Sequence, residues 1–298
     1  MPKGQIRKAI SGFYYVYSDG VTYQTRGRGN FRVKDMTPLV GDIVEFESGN
    51  LDEGVLLAVD ERKNELVRPP ISNIDVGVIV MSAIEPEFST YLLDRFLVYL
   101  EGQHIDAVIY ITKTDLLNET DHQKIMAFQE DYQALGYTIV FSDFPEYRSV
   151  DALLEVIGSS SAVFMGQSGV GKSSLLNHIL PELDIETGEI SMALGRGRHT
   201  TRHVELIPVK DALIADTPGF SNVELEEIDE ADLPDLFPEF LRNRDDCRFS
   251  GCLHLNEPNC RIKQMVETGE IKQYRYDNYL QFLEEIQNRK PKYHKNKK

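Results

Sequence analysis

The sequence predicts a multidomain α/β protein with a small β-barrel, a parallel sheet covered by helices, and a helical C-terminal region. Short runs rich in β-branched and aromatic residues fill residues 1–66, strand-like and helix-like runs alternate from residue 74, and helix-like runs alone follow residue 220. Such alternation is typical of a parallel sheet with helices on its faces. The predicted domains are residues 1–68, 69–222 and 223–298.

The first predicted domain is a barrel of short strands. The strand candidates are Phe13–Tyr17, Val21–Thr25, Ile43–Phe46 and Val55–Val59. Glycine-rich turn signals separate them, which indicates a small barrel. An OB-fold fits this size and offers a face for RNA, although other small barrels fit the pattern nearly as well. Arg68-Pro69-Pro70 is predicted to be a linker, because proline restricts the chain and ends a strand.

The second and third predicted domains differ in their elements. The strand candidates of the second are Ile74–Met81, Ala107–Thr112, Thr138–Ser142, Ala162–Met165, Val204–Pro208 and Ala212–Ala215. Its helix candidates are Tyr91–Glu101, His122–Leu135, Val150–Ile157 and Lys172–Leu180. The third domain has only helix candidates, Ile262–Glu267 and Ile271–Asn288.

The strongest motif is the run Gly166-Gln167-Ser168-Gly169-Val170-Gly171-Lys172-Ser173, which matches G-x-x-x-x-G-K-[ST]. It follows an apolar strand candidate and begins a helix candidate, the context that a phosphate-binding loop requires. The glycines allow backbone N–H groups to surround a phosphate, and the helix N-terminus adds a favourable dipole. Lys172 is predicted to reach the β- and γ-phosphates, and Ser173 to bind Mg²⁺.

A second motif, Thr112-Lys113-Thr114-Asp115, comes directly after the strand run Ala107–Ile111 and is a variant of N-K-x-D. The carboxylate of Asp115 can accept hydrogen bonds from the ring N–H and the exocyclic amine of guanine, which adenine does not offer. Unpaired polar partners make such discrimination large, so the motif predicts GTP over ATP. Lys113 is predicted to pack along the base.

A third motif, Asp216-Thr217-Pro218-Gly219, ends the strand candidate Ala212–Ala215 and matches D-x-x-G. Asp216 is predicted to be linked to Mg²⁺, and the Gly219 N–H to meet the γ-phosphate. Loss of that phosphate would release the loop. In most GTPases the guanine-binding motif comes last, whereas here it precedes the phosphate loop. The order therefore predicts a circular permutation of the same sheet.

The segment Leu194–Arg202 lies between the phosphate loop and D-x-x-G and is basic and polar, as a switch segment would be. Thr200 or Thr201 is predicted to close on Mg²⁺ and the γ-phosphate. Phe220 stands where a water-orienting glutamine is usual, so we expect His199 to position the attacking water, with an exposed RNA contact as the alternative.

The pattern Cys247-x4-Cys252-x-His254-x5-Cys260 contains all the cysteines of the chain. Three thiolates and one imidazole make a complete tetrahedral donor set for zinc, which favours a structural site over a catalytic one. The alternative, free cysteines in a core, is less consistent with their clustering.

Charge is distributed unevenly along the chain. The formal net charge is −16, yet residues 1–34 and 289–298 are basic. Phosphate repels a uniformly acidic protein, whereas basic ends fit RNA docking, with a solvated surface as the alternative. The longest apolar stretch, Val76–Ile84, is too short to span a membrane, and we see no signal peptide. We expect a cytoplasmic, monomeric protein with no membrane partner.

The order T-K-x-D, G-x-x-x-x-G-K-S, G-R-G-R-H-T-T, D-T-P-G and C-x4-C-x-H-x5-C resembles the RsgA (YjeQ/YloQ) family of bacterial circularly permuted GTPases, with details most similar to the Gram-positive YloQ type. Pro38-Leu39-Val40-Gly41-Asp42 is similar to their N-terminal domain. The resemblance covers essentially the whole chain. It implies an N-terminal OB-fold, a circularly permuted P-loop GTPase domain and a C-terminal zinc-binding helical domain.

The resemblance also implies a function: GTP hydrolysis during late maturation of the small ribosomal subunit, stimulated by that subunit, with contacts to its rRNA. The expected nucleotide contacts are Thr112, Lys113, Thr114, Asp115, Ser142, the loop Gly166–Ser174, Thr200, Thr201, Asp216 and Gly219. The expected catalytic residues are His199 and Lys172. The expected zinc ligands are Cys247, Cys252, His254 and Cys260.

Two other functions also fit the phosphate loop. A metabolic kinase would need an acceptor pocket and would not be expected to carry an RNA-binding barrel. An RNA-binding module would hold nucleotide without hydrolysing it. Phosphate release measured with and without small ribosomal subunits distinguishes the three.

Overall fold

A computed structural model describes residues 1–28, 31, 36–181, 204–216 and 223–289. Its strands are β1 (Lys3–Ile10), β2 (Phe13–Ser18), β3 (Val21–Gly27), β4 (Ile43–Ser48), β5 (Gly54–Val59), β6 (Glu65–Val67), β7 (Pro70–Ser72), β8 (Val76–Ser82), β9 (Asp106–Thr112), β10 (Thr138–Phe141), β11 (Ser161–Met165), β12 (Glu205–Val209) and β13 (Ala212–Asp216). Its helices are α1 (Thr90–Gly102), α2 (Glu119–Leu135), α3 (Arg148–Ile157), α4 (Lys172–Ile179), α5 (Pro238–Leu241), α6 (Arg261–Thr268) and α7 (Gln273–Gln287).

The chain divides into two compact units, one formed by residues 1–88 and 103–222 and the other by residues 89–102 and 223–298. Helix α1 therefore groups with the C-terminal helices, although it lies inside the predicted second domain. The predicted division at residues 68 and 222 stays a prediction.

The first five strands form a closed barrel. Their order is β1-β2-β3-β5-β4, with β3 parallel to β5 and β4 pairing back to β1. Alternate side chains fill the interior with buried apolar groups: Ile6, Val16, Val44, Phe46 and Leu56. Five strands closed in this way match the expected OB-fold.

The predicted linker at Arg68-Pro69-Pro70 was wrong, because these residues belong to a short hairpin. Strands β6 and β7 pair antiparallel across them. Pro70 opens β7, a position where a missing N–H is tolerated. Leu66 and Ile71 are fully buried, so the hairpin is packed against the rest of the unit.

The remaining strands form the predicted parallel sheet. The order is β10-β9-β8-β11-β13-β12. Neighbours run parallel except β12, which is antiparallel to β13 and also pairs with β1 of the barrel. Every residue of β8 is buried, as expected for a central strand covered on both faces.

The second unit packs its helices around aromatic residues. Phe237, Phe240, Tyr279 and Phe282 are fully buried in one apolar core. The described residues after 222 contain no strand, as the sequence predicts. None of the helices in the described part of the chain combines the length and apolar character that a membrane crossing needs.

Candidate nucleotide site and metal centre

Two predicted motifs and the predicted contact Ser142 meet at one edge of the parallel sheet. Strand β11 ends at Met165 and continues into the loop 166–171, β9 ends at Thr112, and β10 ends one residue before Ser142. Strand β8 lies between β9 and β11. In open α/β sheets, ligands bind outside the carboxyl ends of the strands. The topology therefore gathers the motifs at the position where such a ligand binds.

The loop after β11 has the backbone that a phosphate site requires. Gly166 has a φ of 151°, and a Cβ added there would lie 2.2 Å from the carbonyl oxygen of Val80. Gly171, in the left-handed region with a φ of 92°, is the N-cap of α4. Both conformations disfavour a residue with a larger side chain. Helix α4 begins directly after this loop, and a helix N-terminus favours an anion.

Lys172 lies against this loop. Its ammonium Nζ donates a hydrogen bond of 3.3 Å to the carbonyl of Gly166. Burial lowers the pKa of Lys172, because the charged form loses water. A phosphate beside the ammonium would restore a preference for the charged form.

A cavity of about 260 Å³ adjoins the phosphate loop. The predicted nucleotide residues that line it are Thr112, Lys113, Asp115, Ser142, Gly171 and Ser174, beside the aromatic residues Tyr110, Phe144 and Tyr147. Thr114 connects the two loops of the cavity, since its hydroxyl donates to the carbonyl of Ser142 at 2.6 Å. Sequence reasoning missed the three aromatic residues, for which the only signal is their position beside Thr112 and Ser142.

Thr112 and Lys113 have partners outside the cavity. The Thr112 hydroxyl lies 2.5 Å from the carbonyl oxygen of Val170 and 3.2 Å from that of Met81. Lys113 is in the left-handed region, with a φ of 58°, and its ammonium donates to the carbonyl of Glu85. Both residues therefore fix the loop that carries Asp115.

Five of the predicted site residues lie at the border of the described chain or beyond it. Asp216 is the last residue of β13, where its backbone pairs with Glu205. His199, Thr200, Thr201 and Gly219 lie outside the described residues. The roles predicted for these five residues stay predictions, as do those of the other predicted site residues.

The four predicted metal ligands converge in the second unit. The ligand atoms of Cys247, Cys252, His254 and Cys260 all lie within 4.8 Å of one another. His254 Nδ1 is 3.3 Å from the Cys260 Sγ and 3.8 Å from the Cys247 Sγ. Three thiols and an imidazole nitrogen are the donor set of structural zinc sites, so these residues fit that ion.

The electrostatics of the cluster fit a cation. Burial raises the pKa of Cys252 to about 12 and also raises that of Cys260. Burial lowers the pKa of His254 and keeps its imidazole neutral, the form that binds metal. Thiolates are therefore disfavoured here on their own, and a divalent ion at the centre would stabilise them.

Residues that the sequence did not single out hold the loop that carries this cluster. The Glu257 carboxylate accepts hydrogen bonds from the backbone N–H of Leu253 at 2.8 Å and of Leu255 at 2.7 Å. The hydroxyl of Tyr276 donates to the carbonyl of His254 at 2.6 Å. Only the packing of α7 against the loop reveals this contact, because the residues are distant in sequence.

The phosphate loop on β11, the T-K-T-D loop on β9 and the sheet order together define a P-loop GTPase whose strands are circularly permuted. Comparison with known families identifies it further. The RsgA GTPase family model matches residues 59–226, and the RsgA N-terminal domain model matches residues 3–56. The chain belongs to the RsgA family of GTPases, which confirms the predicted family. Membership in a GTPase family implies GTP, GDP and Mg²⁺ as ligands.

Relatives match the chain over nearly its whole length. The Enterococcus faecalis protein named small ribosomal subunit biogenesis GTPase RsgA is 56% identical over 98% of both chains. The Bacillus subtilis protein of that name is 51% identical over 98% of this chain and 100% of its own length.

Two solved structures share the fold. The crystal structure of YloQ, a circularly permuted GTPase, superposes with a TM-score of 0.85 at 47% identity, covering 98% of this chain and 97% of its own. YjeQ from Thermotoga maritima gives a TM-score of 0.84 at 34% identity, covering 97% and 99%. These matches confirm the predicted fold class and the permuted order of motifs.

Proposed function

We propose that this protein hydrolyses GTP to GDP and phosphate as a late-stage assembly factor of the small ribosomal subunit, and that the subunit stimulates hydrolysis. The observation that carries the proposal is the meeting of the phosphate loop and the T-K-T-D loop around one cavity. The relatives named for small-subunit biogenesis cover the whole described architecture, which supports the same biological role.

The proposed chemistry is an in-line attack of water on the γ-phosphorus of GTP. The bond to the β–γ bridging oxygen breaks, GDP carries the electron pair, and the water's proton ends on phosphate. Backbone N–H groups of Gly166–Ser174 and the ammonium of Lys172 hold the phosphates and stabilise charge on the leaving oxygen. Mg²⁺ supplies further charge neutralisation, with Ser173 and Asp216 as its proposed protein partners.

The proposed switch residues complete the site. His199 orients the attacking water once a partner orders its segment, and Thr200 or Thr201 closes on Mg²⁺ and the γ-phosphate. Gly219 meets the γ-phosphate through its N–H. In the base cavity, Asp115 selects guanine through two hydrogen bonds.

The barrel supports the proposed contact with ribosomal RNA. Its first strands pair arginine with aromatic rings: the Arg7 guanidinium lies 3.5 Å from the Tyr17 ring centroid, and that of Arg26 lies 4.4 Å from the Phe13 centroid. Cations and aromatic faces together suit phosphates and unstacked bases. We accordingly propose a cytoplasmic, ribosome-associated monomer without a membrane partner. One structural Zn²⁺ would be held by the three cysteines and His254.

The deciding experiment measures phosphate release from GTP with purified small subunits, with large subunits and with neither. The proposal expects stimulation by small subunits alone, and loss of release in a Lys172→Ala variant. Transfer of phosphate to a metabolite would instead support a kinase, and absence of release under every condition would support a binding module. A His199→Ala variant that binds GTP normally and hydrolyses it at the wild-type rate would remove His199 from the mechanism.

A further inference from the structure

Phe144 is a large apolar side chain exposed at the wall of the base cavity. It leaves 51% of its surface accessible and lines the same cavity as Lys113 and Asp115. An exposed aromatic ring gains little from the hydrophobic effect in the free protein. A flat base lying over it would remove apolar surface from water on both partners.

The ring next to Phe144 is held in place before any ligand arrives. Tyr147 meets Phe144 edge to face, with centroids 5.5 Å apart. Tyr147 also stacks on His178 of α4, with centroids 4.1 Å apart and planes 10° from parallel. A pre-ordered aromatic wall loses little conformational freedom on binding, which favours affinity.

Hydrogen bonds fix the loop that carries Phe144. Asp143 accepts the backbone N–H of Ser149 at 2.9 Å, and the Ser149 hydroxyl lies 2.9 Å from that of Tyr110. The bond from Thr114 to the Ser142 carbonyl then joins this loop to the one that carries Asp115. The aromatic wall and the carboxylate are therefore held in one fixed arrangement.

We propose that Phe144 stacks on the face of the guanine base of GTP and GDP, and that Tyr147 positions its ring. This inference rests on the proposed nucleotide site and adds a binding residue to it. Stacking uses the π-face that every base has and is tolerant of its edge. Phe144 therefore sets affinity for purine nucleotides in general, whereas Asp115 sets the choice among them.

The absence of tryptophan from the sequence allows a direct test. A Phe144→Trp variant carries a sole tryptophan at the cavity wall, and we expect saturating GDP with Mg²⁺ to quench its fluorescence by stacking. The matched control is Phe249→Trp, at a phenylalanine of similar exposure, 45%, in the other unit, whose emission should not respond. Unchanged emission at position 144 while calorimetry reports normal GDP binding would overturn the inference.

A truncation provides the quantitative test. We expect Phe144→Ala to raise the Kd for GDP about 5- to 100-fold, the range that base stacking predicts, and to leave the ratio of the GDP and IDP dissociation constants unchanged. Phe249→Ala should bind as the wild type does, and thermal unfolding verifies that each variant is folded. Failure of the wild type to bind GDP would refute the nucleotide site itself. Tight wild-type binding with an unaffected Phe144→Ala variant would refute only the stacking role.

Discussion

The hydroxyl of Thr112 lies 2.5 Å from the carbonyl oxygen of Val170, which joins the end of β9 to the phosphate loop. N-K-x-D motifs more often carry asparagine at this position. The threonine hydroxyl has a donor hydrogen, so it links the loop that carries Asp115 to the phosphate loop. The threonine that departs from the usual motif therefore makes a structural contact of its own.

A Thr112→Val substitution removes the hydroxyl at nearly constant shape. Loss of a hydrogen bond to a buried carbonyl costs about 1 kcal/mol, so we expect the Kd for GDP to rise about 5-fold. Thr112→Ser retains the donor and should bind more like the wild type. Calorimetric titration with GDP measures the affinity of each variant. Equal affinity of the valine and serine variants would show that the hydrogen bond from Thr112 to the Val170 carbonyl does not contribute to GDP binding.

We expect Lys172 to lower the stability of the nucleotide-free protein, although its ammonium is proposed to bind the phosphates of the nucleotide. Because burial lowers the pKa of Lys172, the unfolded chain binds more protons than the folded one between that lowered pKa and the ordinary lysine pKa of 10.5. Stability contributed by this group is therefore reduced at neutral pH and rises with pH through that window.

We expect Lys172→Met to raise the Tm of the nucleotide-free protein at neutral pH and to flatten this rise with pH. It should also weaken GDP binding about 10- to 100-fold, since it removes a charge-assisted phosphate contact. Lys124→Met, at a side chain that is 66% exposed, is the matched control and should change neither property. Thermal unfolding across pH tests the predicted stability, and titration with GDP tests the predicted loss of binding. A lower Tm for Lys172→Met than for the wild type would contradict the stability prediction.

The sequence alone predicted the α/β sheet and the motifs at its edge, because apolar strand runs end directly at those motifs. It did not reveal β1, whose residues Lys3–Ile10 include few β-branched or aromatic side chains. Pairing with β2, β4 and β12 determines that strand, and such long-range contacts override local propensity. The hairpin at Pro70 was missed for a related reason, since its strands are too short to have a periodic pattern.

For the site, residue type and spacing identified the charged groups at the cavity and the cluster of three cysteines and one histidine that could hold a metal ion. They could not identify Phe144 and Tyr147, because an aromatic residue in a loop has no distinguishing spacing. Nor could they group α1 with the C-terminal helices. The grouping of α1 with α7 comes from contacts between residues far apart in sequence. One of them is the bond from the Arg275 guanidinium of α7 to Asp94 of α1.

This buried arginine allows a stability prediction. Arg275 leaves 2% of its side chain exposed and binds Asp94 and also Glu239, with Nε 2.7 Å from the Glu239 carboxylate. Arg275→Ala would remove the cation that both buried carboxylates bind, while Asn278 would still donate to Asp94, and we expect a loss of about 3–5 kcal/mol in the free energy of unfolding. Arg261→Ala breaks a more exposed pair with Glu270 and should cost less than about 1 kcal/mol. Chemical denaturation measures both, and equal effects would contradict the buried network.

The Cys3His cluster predicts one zinc per chain. Elemental analysis should find about one zinc atom, and chelation should lower the helical circular dichroism signal by unfolding the second unit. Cys260→Ser should behave as the chelated protein does, whereas Ser250→Ala, a substitution between two ligands, should retain zinc. Both variants should still bind GDP, because the described residues of the nucleotide cavity lie in the first unit. A protein that keeps its helical signal without metal would refute a structural role for zinc.

Asp115 determines base choice in the proposed site, and an amide in its place should reverse that choice. The carboxylate accepts two hydrogen bonds from guanine, whereas the amide of Asp115→Asn donates one, which suits the carbonyl oxygen that xanthine has in place of the guanine amine. We expect the Kd for GDP to rise about 100-fold, since the hydrogen bond from the exocyclic amine is lost and the one from the ring N–H is no longer charge-assisted, and the Kd for XDP to fall. Asp211→Asn removes an exposed carboxylate elsewhere in the same unit and should alter neither. Competition of XDP and ADP against labelled GDP measures the change, and an unaltered preference for GDP in the Asp115→Asn variant would remove this carboxylate from base recognition.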